Sequence, residues 1–294
     1  SFKNPAKIEL YQSMREIPDA LGGDKLMRND LGEKGHPVFK DVTAESGIYS
    51  SAIGFGLGVA TGDVNGDNLP DLYISNDFFE RDYLYLNQGN GKFKEDLINR
   101  LDYTSVSSMG ADIADINGDG FMDIFTTDML PADNDRIKRT IVFDPYHLED
   151  FKYRANYHYQ FIQNCLQLNN GKGYFQEIGN LAGVSATDWS WGALIFDFEN
   201  NGSNDIFVSN GIFKDIMDGD FRDFSENERL SSKSSNPDFD FTKYAEKLPG
   251  SALKNWAFIN KGDFKFNNEA EDIGLAEKTF SNGSAYVDLD GDGD

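Results

Sequence analysis

The sequence predicts an all-β fold, a β-propeller of four-stranded blades of which this chain holds a part. Three observations predict it: an acidic decapeptide recurs, its flanks recur with it, and the composition favours strands and turns. The decapeptide reads DVNGDNLPDL from Asp63, DINGDGFMDI from Asp115 and DFENNGSNDI from Asp197, and DLDGDGD from Asp288 begins a fourth copy. The starts are 52, 82 and 91 residues apart. With 24 Phe, 13 Tyr, 3 Trp and 29 Gly in 294 residues, the chain reads as strands joined by tight turns, not as disorder.

The elements follow in order. A glycine stands five residues before each first Asp: Gly58, Gly110, Gly192 and Gly283. A strand-like run follows the ninth loop position: LYISN from Leu72, IFTTD from Ile124 and IFVSN from Ile206. A Leu-x-x-Asn pattern with a Gly-rich turn comes next: LYLNQGNGKF from Leu84, LQLNNGKGYF from Leu166 and FINKGDFKF from Phe258, with an incomplete relative, LMRNDLGEKGHPVF, from Leu26. Each unit is therefore strand, acidic loop, strand, variable segment, strand, Asn/Gly turn, strand. Four short strands repeating at about 50 residues are the signature of propeller blades. Val64, Ile116, Phe198 and Leu289, second in each loop, are expected to pack between neighbouring blades.

Blade boundaries follow from the repeats. Residues 1–54 form the second half of a blade with an insertion, 55–107 a blade, 108–188 and 189–280 blades with insertions, and 281–294 the start of the next. Both termini fall inside a unit, so the expectation is an open arc from a longer chain. The insertions, about Met129–Gln163, about Gly211–Lys254 and residues 1–23, all lie between second and third strands. In an up-and-down blade that places them on the face opposite the acidic loops, where loops on a rigid scaffold commonly carry binding function. The stretch from Ile141 to Asn164 is rich in Tyr and Phe and partly helical in character, whereas SENERLSSKSSNPDFDF from Ser225 is polar and reads as mobile.

The acidic loops pose an electrostatic problem. Two carboxylates ~4 Å apart at an effective dielectric near 20 repel by roughly 4 kcal/mol. A cation among them, or water, would relieve this. Oxygen donors at alternate positions suit Ca²⁺. The expected ligands are Asp63, Asn65, Asp67, the Leu69 carbonyl and Asp71 in the first loop, and Asp115, Asn117, Asp119, the Phe121 carbonyl and Asp123 in the second. The fourth offers Asp288, Asp290, Asp292 and the Asp294 carbonyl. The third offers Asp197, Glu199, Asn201, Ser203 and Asp205, with Glu199 and Asn201 departing from the pattern, so weaker binding or none is expected there. An EF-hand would need Glu at position 12, where Ile74, Thr126 and Val208 stand. Zinc would want His or Cys.

Other chemistry is sparse. A formal net charge of -23, from 50 acids and 27 bases, argues against nucleic acid and anionic membrane surfaces as partners. No apolar run is long enough to span a bilayer, and the sequence itself contains no signal-peptide pattern. Cys165, the lone cysteine, reads as a buried apolar residue. His36, His147 and His158 lack ligand spacing, and no G-x-S-x-G nucleophile motif occurs. GFGLG at Gly54 runs into a strand instead of a helix, so it is not a phosphate loop. Trp189, Trp191 and Trp256 could stack on sugars, although packing between blades is the commoner role.

On these residues the acidic loop with its flanking Gly and strand resembles the FG-GAP repeat of integrin α-subunit propellers and the related VCBS repeats. The runs NDFFERDYLYLNQGNGKF, MGADIADINGDGFMDIFTTDMLP and TDWSWGALIFDFENNG resemble bacterial relatives of cartilage acidic protein. The resemblance implies a calcium-binding propeller, seven-bladed when complete, on a secreted or surface-anchored protein, often accessory to outer-membrane nutrient uptake. The expected function is a non-enzymatic binding module that holds a protein partner or glycan on the insertion face. The alternative is a calcium-dependent carbohydrate-active enzyme such as a polysaccharide lyase.

Overall fold

The computed structural model describes residues 5–32, 35–141, 144–222, 246, 248 and 250–290. Its framework is three four-stranded antiparallel sheets, each with its strands in chain order. The first holds Gly56–Gly62, Asp71–Asn76, Tyr83–Asn87 and Phe93–Glu95. The second holds Ala111–Ala114, Asp123–Thr126, Cys165–Asn169 and Phe175–Glu177, and the third Ser190–Phe196, Asp205–Asn210, Trp256–Asn260 and Phe266–Asn268. The incomplete repeat from Leu26 forms a two-stranded hairpin, Met27–Leu31 on Pro37–Asp41. Among the described residues no sheet closes on itself. Acidic loops therefore join first to second strands and Asn/Gly turns join third to fourth, as the repeats predict.

The sheets face each other through apolar side chains. Ala60, Tyr73, Leu84 and Leu86 of the first sheet cluster with Ile113, Ile124 and Phe175 of the second. Phe125 and Leu166 of the second cluster with Ala193, Ile195, Val208 and Phe258 of the third. Burying a side chain of this size stabilises the fold by about 1.5–3 kcal/mol. Val64 and Ile116 are buried within these clusters, as expected of second loop positions. Phe198 is only half-buried, and Leu289 is exposed, with no described sheet beyond it.

The recurrent glycine has a steric cause. First strands of successive sheets lie side by side and leave no room for a Cβ. At Gly58 it would meet the Met109 carbonyl oxygen at 2.7 Å, and at Gly110 the Trp191 carbonyl oxygen at 2.2 Å. At Gly192 it would meet Ser209 Oγ at 2.7 Å and Ser284 Oγ at 2.8 Å, the latter from a described segment without strand structure.

The all-β expectation needs one correction: the fold is mostly β, with few helices, and the longer of these lie in the segments between strands. Pro5–Met14 lies in the N-terminal segment, and Asn134–Thr140 and Tyr146–Arg154 in the Met129–Gln163 insertion. Apart from the short pairing of Gln160–Phe161 with Thr104–Ser105, these segments join no sheet among the described residues, and local signals set their helices. Asp133 caps the first insertion helix by accepting the Arg136 N–H at 2.9 Å. The second begins after Pro145, with Glu149 in its first turn and Lys152 and Arg154 in its last, which suits the helix dipole. The polar stretch from Ser225 lies outside the described residues. No described helix is long and apolar enough to cross a membrane.

The close approach at Gly110 predicts that Gly110→Ala will destabilise the chain by about 1–3 kcal/mol or more through overpacking. Gly283→Ala should be near neutral, since nothing lies within 4 Å of its Cβ position. Urea unfolding of both variants checks the contrast.

Candidate functional site

Each acidic loop is a turn wound around its first Asp. Asp63 Oδ1 accepts the N–H of Gly66 at 2.8 Å and of Asp67 at 3.1 Å, and Oδ2 accepts Asn68 N–H at 2.7 Å. Asn65 Oδ1 accepts Asp67 N–H at 3.0 Å, and Asp67 Oδ1 accepts Leu69 N–H at 2.8 Å. The second loop repeats this with Asp115, Asn117 and Asp119. The third keeps the same wrap: Asp197 accepts the N–H groups of Asn201 and Gly202, and Asn201 Oδ1 accepts that of Ser203. The acid and amide have changed places, yet still meet. Asn65 Nδ2 donates to Asp67 at 3.0 Å in the first loop, and Asn201 Nδ2 donates to Glu199 at 3.0 Å in the third. Glu199 therefore alters the donor order without undoing the turn.

The ninth position is different in kind. Asp71 and Asp123 are fully buried and Asp205 nearly so. Each carboxylate bridges its own loop to the third strand. Asp71 accepts Val64 N–H at 3.0 Å and Asn87 N–H at 2.8 Å. Asp123 accepts Ile116 N–H at 2.9 Å and Asn169 N–H at 2.7 Å, and Asp205 accepts Phe198 N–H at 3.0 Å and Asn260 N–H at 2.8 Å. The Asn of Leu-x-x-Asn completes the arrangement. Asn169 Nδ2 donates to the Met122 carbonyl of its own unit at 3.0 Å and to the Val64 carbonyl of the preceding unit at 2.8 Å. Asn260 does the same toward Asn204 and Ile116 at 3.0 and 3.1 Å. These asparagines, read from sequence only as turn residues, stitch neighbouring units together.

The donor chemistry suits a hard cation: three carboxylates, an amide oxygen and a peptide carbonyl within nine residues. Burial pushes Asp123 up to about 7, and Asp119 and Asp115 push in the same direction. Burial likewise raises Asp71 and Asp205, which a nearby cation would oppose. The loop carboxylates are, however, turned onto backbone N–H groups. Among the described residues no group of three or more His, Cys, Asp or Glu is gathered to hold a metal ion. Backbone amides thus do part of the work that the sequence argument assigned to cation or water. Asp288 and Asp290 lie on a described segment without strand structure, while Asp292 and Asp294 lie outside the described residues.

At the opposite end, second and third strands are latched by a side chain that recurs in each four-stranded sheet. Asp82 accepts Asn76 N–H at 2.8 Å, Asn164 accepts Asp128 N–H at 2.8 Å, and Asn255 accepts Asn210 N–H at 2.9 Å. The sequence carries the signal: LYISN, IFTTD and IFVSN end on Asn or Asp, and Asp or Asn stands at the equivalent position entering each third strand.

Beyond the latches the variable segments pack into one layer. The N-terminal helix meets the Met129–Gln163 insertion through Tyr11 and Phe151, ring centroids 5.2 Å apart, and through Gln12 Nε2 donating to the Arg154 carbonyl at 2.8 Å. Below it, buried Arg15 pairs with buried Glu80 at 2.6 Å. Arg15 and Arg81 both donate to the Asn156 carbonyl, at 3.3 and 2.9 Å. The two longer insertions meet through Arg136 and Asp215 at 2.8 Å, and Arg136 also pairs with Asp188 at 2.7 Å. This layer presents aromatic side chains to solvent. Tyr153 and Tyr159 stack with centroids 4.3 Å apart, Tyr146 is 85 % exposed, and Phe78 is 60 % exposed. Phe78 also holds a φ of 65°, unusual for a bulky residue.

Trp189 and Trp191 pack against each other in one apolar cluster, ring centroids 6.2 Å apart. Trp189 is buried beside Met129 and Met217, Trp191 donates to the Gly211 carbonyl, and Trp256 stacks on Phe258. His158 is likewise engaged, with Nε2 2.9 Å from the Leu101 carbonyl oxygen, and Cys165 is buried as expected.

Residues 63–126 match the family model described as an FG-GAP-like repeat. The match runs from the first Asp of the first loop to the end of the second sheet's second strand, and it identifies the repeat as one of the β-propeller type. No curated protein matches the chain.

The ninth-position bridge predicts that Asp123→Ala will cost about 3–6 kcal/mol, because two hydrogen bonds to a carboxylate acceptor are lost at roughly 1.5–3 kcal/mol each. Asn117→Ala, on the exposed turn, should cost under about 1 kcal/mol. Denaturant unfolding in a chelator isolates both effects from metal binding.

Proposed function

We propose that this chain is a non-enzymatic, calcium-stabilised binding module of the cell surface, holding a protein partner or a glycan on the face opposite its acidic loops. The observation that carries this reading is the single layer built by three separate between-strand segments, with exposed Tyr and Phe on its surface. A scaffold of fixed sheets with variable, aromatic segments on one end is suited to recognition. It belongs to a larger propeller, seven-bladed when complete. Outer-membrane association in nutrient uptake rests on the resemblance to bacterial relatives of cartilage acidic protein.

Calcium would be held by Asp63, Asn65, Asp67, Leu69 and Asp71, by Asp115, Asn117, Asp119, Phe121 and Asp123, and more weakly by the third loop. The ion would supply positive charge where burial and like charges now crowd. The lyase alternative calls for basic or phenolic side chains beside a loop in a cleft. A cavity of about 450 Å³ does lie beside the second and third loops, but it is lined by Asp115, Asn117, Ser203, Asn204, Asn260 and Asp263, with no Lys, Arg, His or Tyr. That lining counts against the alternative.

Two outcomes are expected. Calcium titration should raise the melting temperature and chelation lower it, with most of the response lost in Asp63→Ala/Asp115→Ala; a melting temperature indifferent to EDTA removes the metal from the proposal. Replacing Met129–Gln163 with Asp77–Arg81, which spans the same latch in the first sheet, should abolish capture on an array of neutral and acidic glycans or of the partner co-isolated from native membranes. Retained capture refutes the insertion face, and unsaturated products from acidic polysaccharides would restore the lyase reading.

A further inference from the structure

We propose that Asp82 carries a proton in the folded chain while Asp128 stays a carboxylate, and that this proton governs how firmly the segment Thr104–Ser108 clamps the Met129–Gln163 insertion. Its consequence for recognition rests on the insertion-face reading above; the proton itself does not.

Both carboxylates are fully buried at the junction of the first two sheets. The arginines of this region are committed elsewhere: Arg81 to Glu80 and Glu95, Arg100 to Asp96, Arg136 to Asp188 and Asp215. The titratable groups that face the pair carry no positive charge. They are Tyr73 from the first sheet's second strand and the Cys165 thiol from the second sheet's third strand, with Glu177, bonded to Tyr103, acting on that thiol. Two uncompensated anions in a dry junction are strongly disfavoured, and one proton removes the conflict.

The hydrogen-bond partners decide where the proton resides. Asp128 accepts backbone N–H groups from Val106 at 3.1 Å, Ser107 at 3.2 Å and Met129, together with the Ser105 hydroxyl. An N–H cannot reverse its role, so that site is built for a carboxylate. Asp82 Oδ2 instead meets two hydroxyls, Tyr73 at 2.6 Å and Ser108 at 2.7 Å. A hydroxyl can accept as readily as donate. A proton on Asp82 Oδ2 can therefore be given to Ser108 Oγ while the Asn76 N–H stays bonded to Oδ1. Burial pushes Asp82 up to about 7, with Asp128 adding to the effect; burial raises Asp128 as well.

Both acids grip one short segment, and that segment also holds the insertion. Thr104 N–H donates to the Tyr159 carbonyl at 3.0 Å and Val106 N–H to the Phe161 carbonyl at 3.2 Å, in a parallel pairing of Gln160 with Thr104 and Phe161 with Ser105. Tyr159 and Phe161 are about half exposed on the recognition layer. Loss of the proton sets two negative charges against each other across Ser105–Ser108 and loosens this pairing.

The folded value of Asp82 lies above its ordinary 3.8. Its contribution to stability is therefore complete below about pH 4 and is lost as pH rises through about 7. The test is unfolding of the full chain from pH 4 to 8, without partner, in wild type, Asp82→Asn and the control Asp77→Asn. Wild type and control should lose up to tenfold in the folding equilibrium constant per pH unit relative to Asp82→Asn across that window. Exchange protection at Thr104 and Val106 should fall above about pH 7 in wild type and stay level in Asp82→Asn. Parallel stability profiles overturn the proposal. So does a carboxyl NMR titration of wild-type protein in which Asp82 ionises near pH 4, a readout that survives if the variant fails to fold. Failure here leaves partner capture intact, and failure of capture leaves the proton where it is.

Discussion

The buried ninth carboxylate of each acidic loop is the constraint on which this architecture depends. Asp71, Asp123 and Asp205 each hold the loop N–H at the second position and the N–H of the third strand's last Asn. One side chain thereby joins three strands at one end of a sheet. Burying a carboxylate is costly unless it is hydrogen-bonded, and two backbone donors per site answer that cost. The partner Asn extends the tie to the preceding unit, so the order of units is set at the same point that shapes the loop.

The two ends of the sheets obey different rules. At the acidic end the turns are short, repeated and closed by many local hydrogen bonds. At the other end one Asp or Asn latch per sheet fastens second strand to third, whatever lies between. Asp77–Arg81 spans the first latch and Met129–Gln163 the second, so the sheet tolerates either. A constant scaffold can therefore carry variable segments at one face without disturbing its core. Those segments then gain order from one another, through Tyr11 on Phe151 and Arg136 on Asp215.

Polar burial is the cost of this design. Asp82, Asp128, Asn164 and Asn210 lie inside, where apolar residues would pack more simply. A buried polar network rigidifies a fold only when its members are satisfied. Here the network runs along the junctions between units, and it links the sheets to the inserted layer. The Arg15–Glu80 pair works alike: among the described residues Arg15 pairs with no other carboxylate, while Glu80 also meets Arg81, so the pair fixes how the N-terminal helix sits.

Much of the framework was legible from residues near one another in the chain. Strand alternation, Asn/Gly turns, the Asp–x–Asn–Gly–Asp turn and the recurrent glycine are local signals, and the sheets follow them in order. The glycine was visible as a repeat, but its reason, a first strand pressed against the next at Gly58 and Gly110, belongs to the assembled sheets. The insertion helices follow local caps and the latch residues recur in the sequence, but which latch residues meet and the joining of three insertions into one layer were decided by tertiary structure alone. Arg15 meets Glu80 across 65 residues of chain and reaches Asn156 across 141. No periodicity encodes such pairs, because they exist only once separate sheets have brought their ends to a common face.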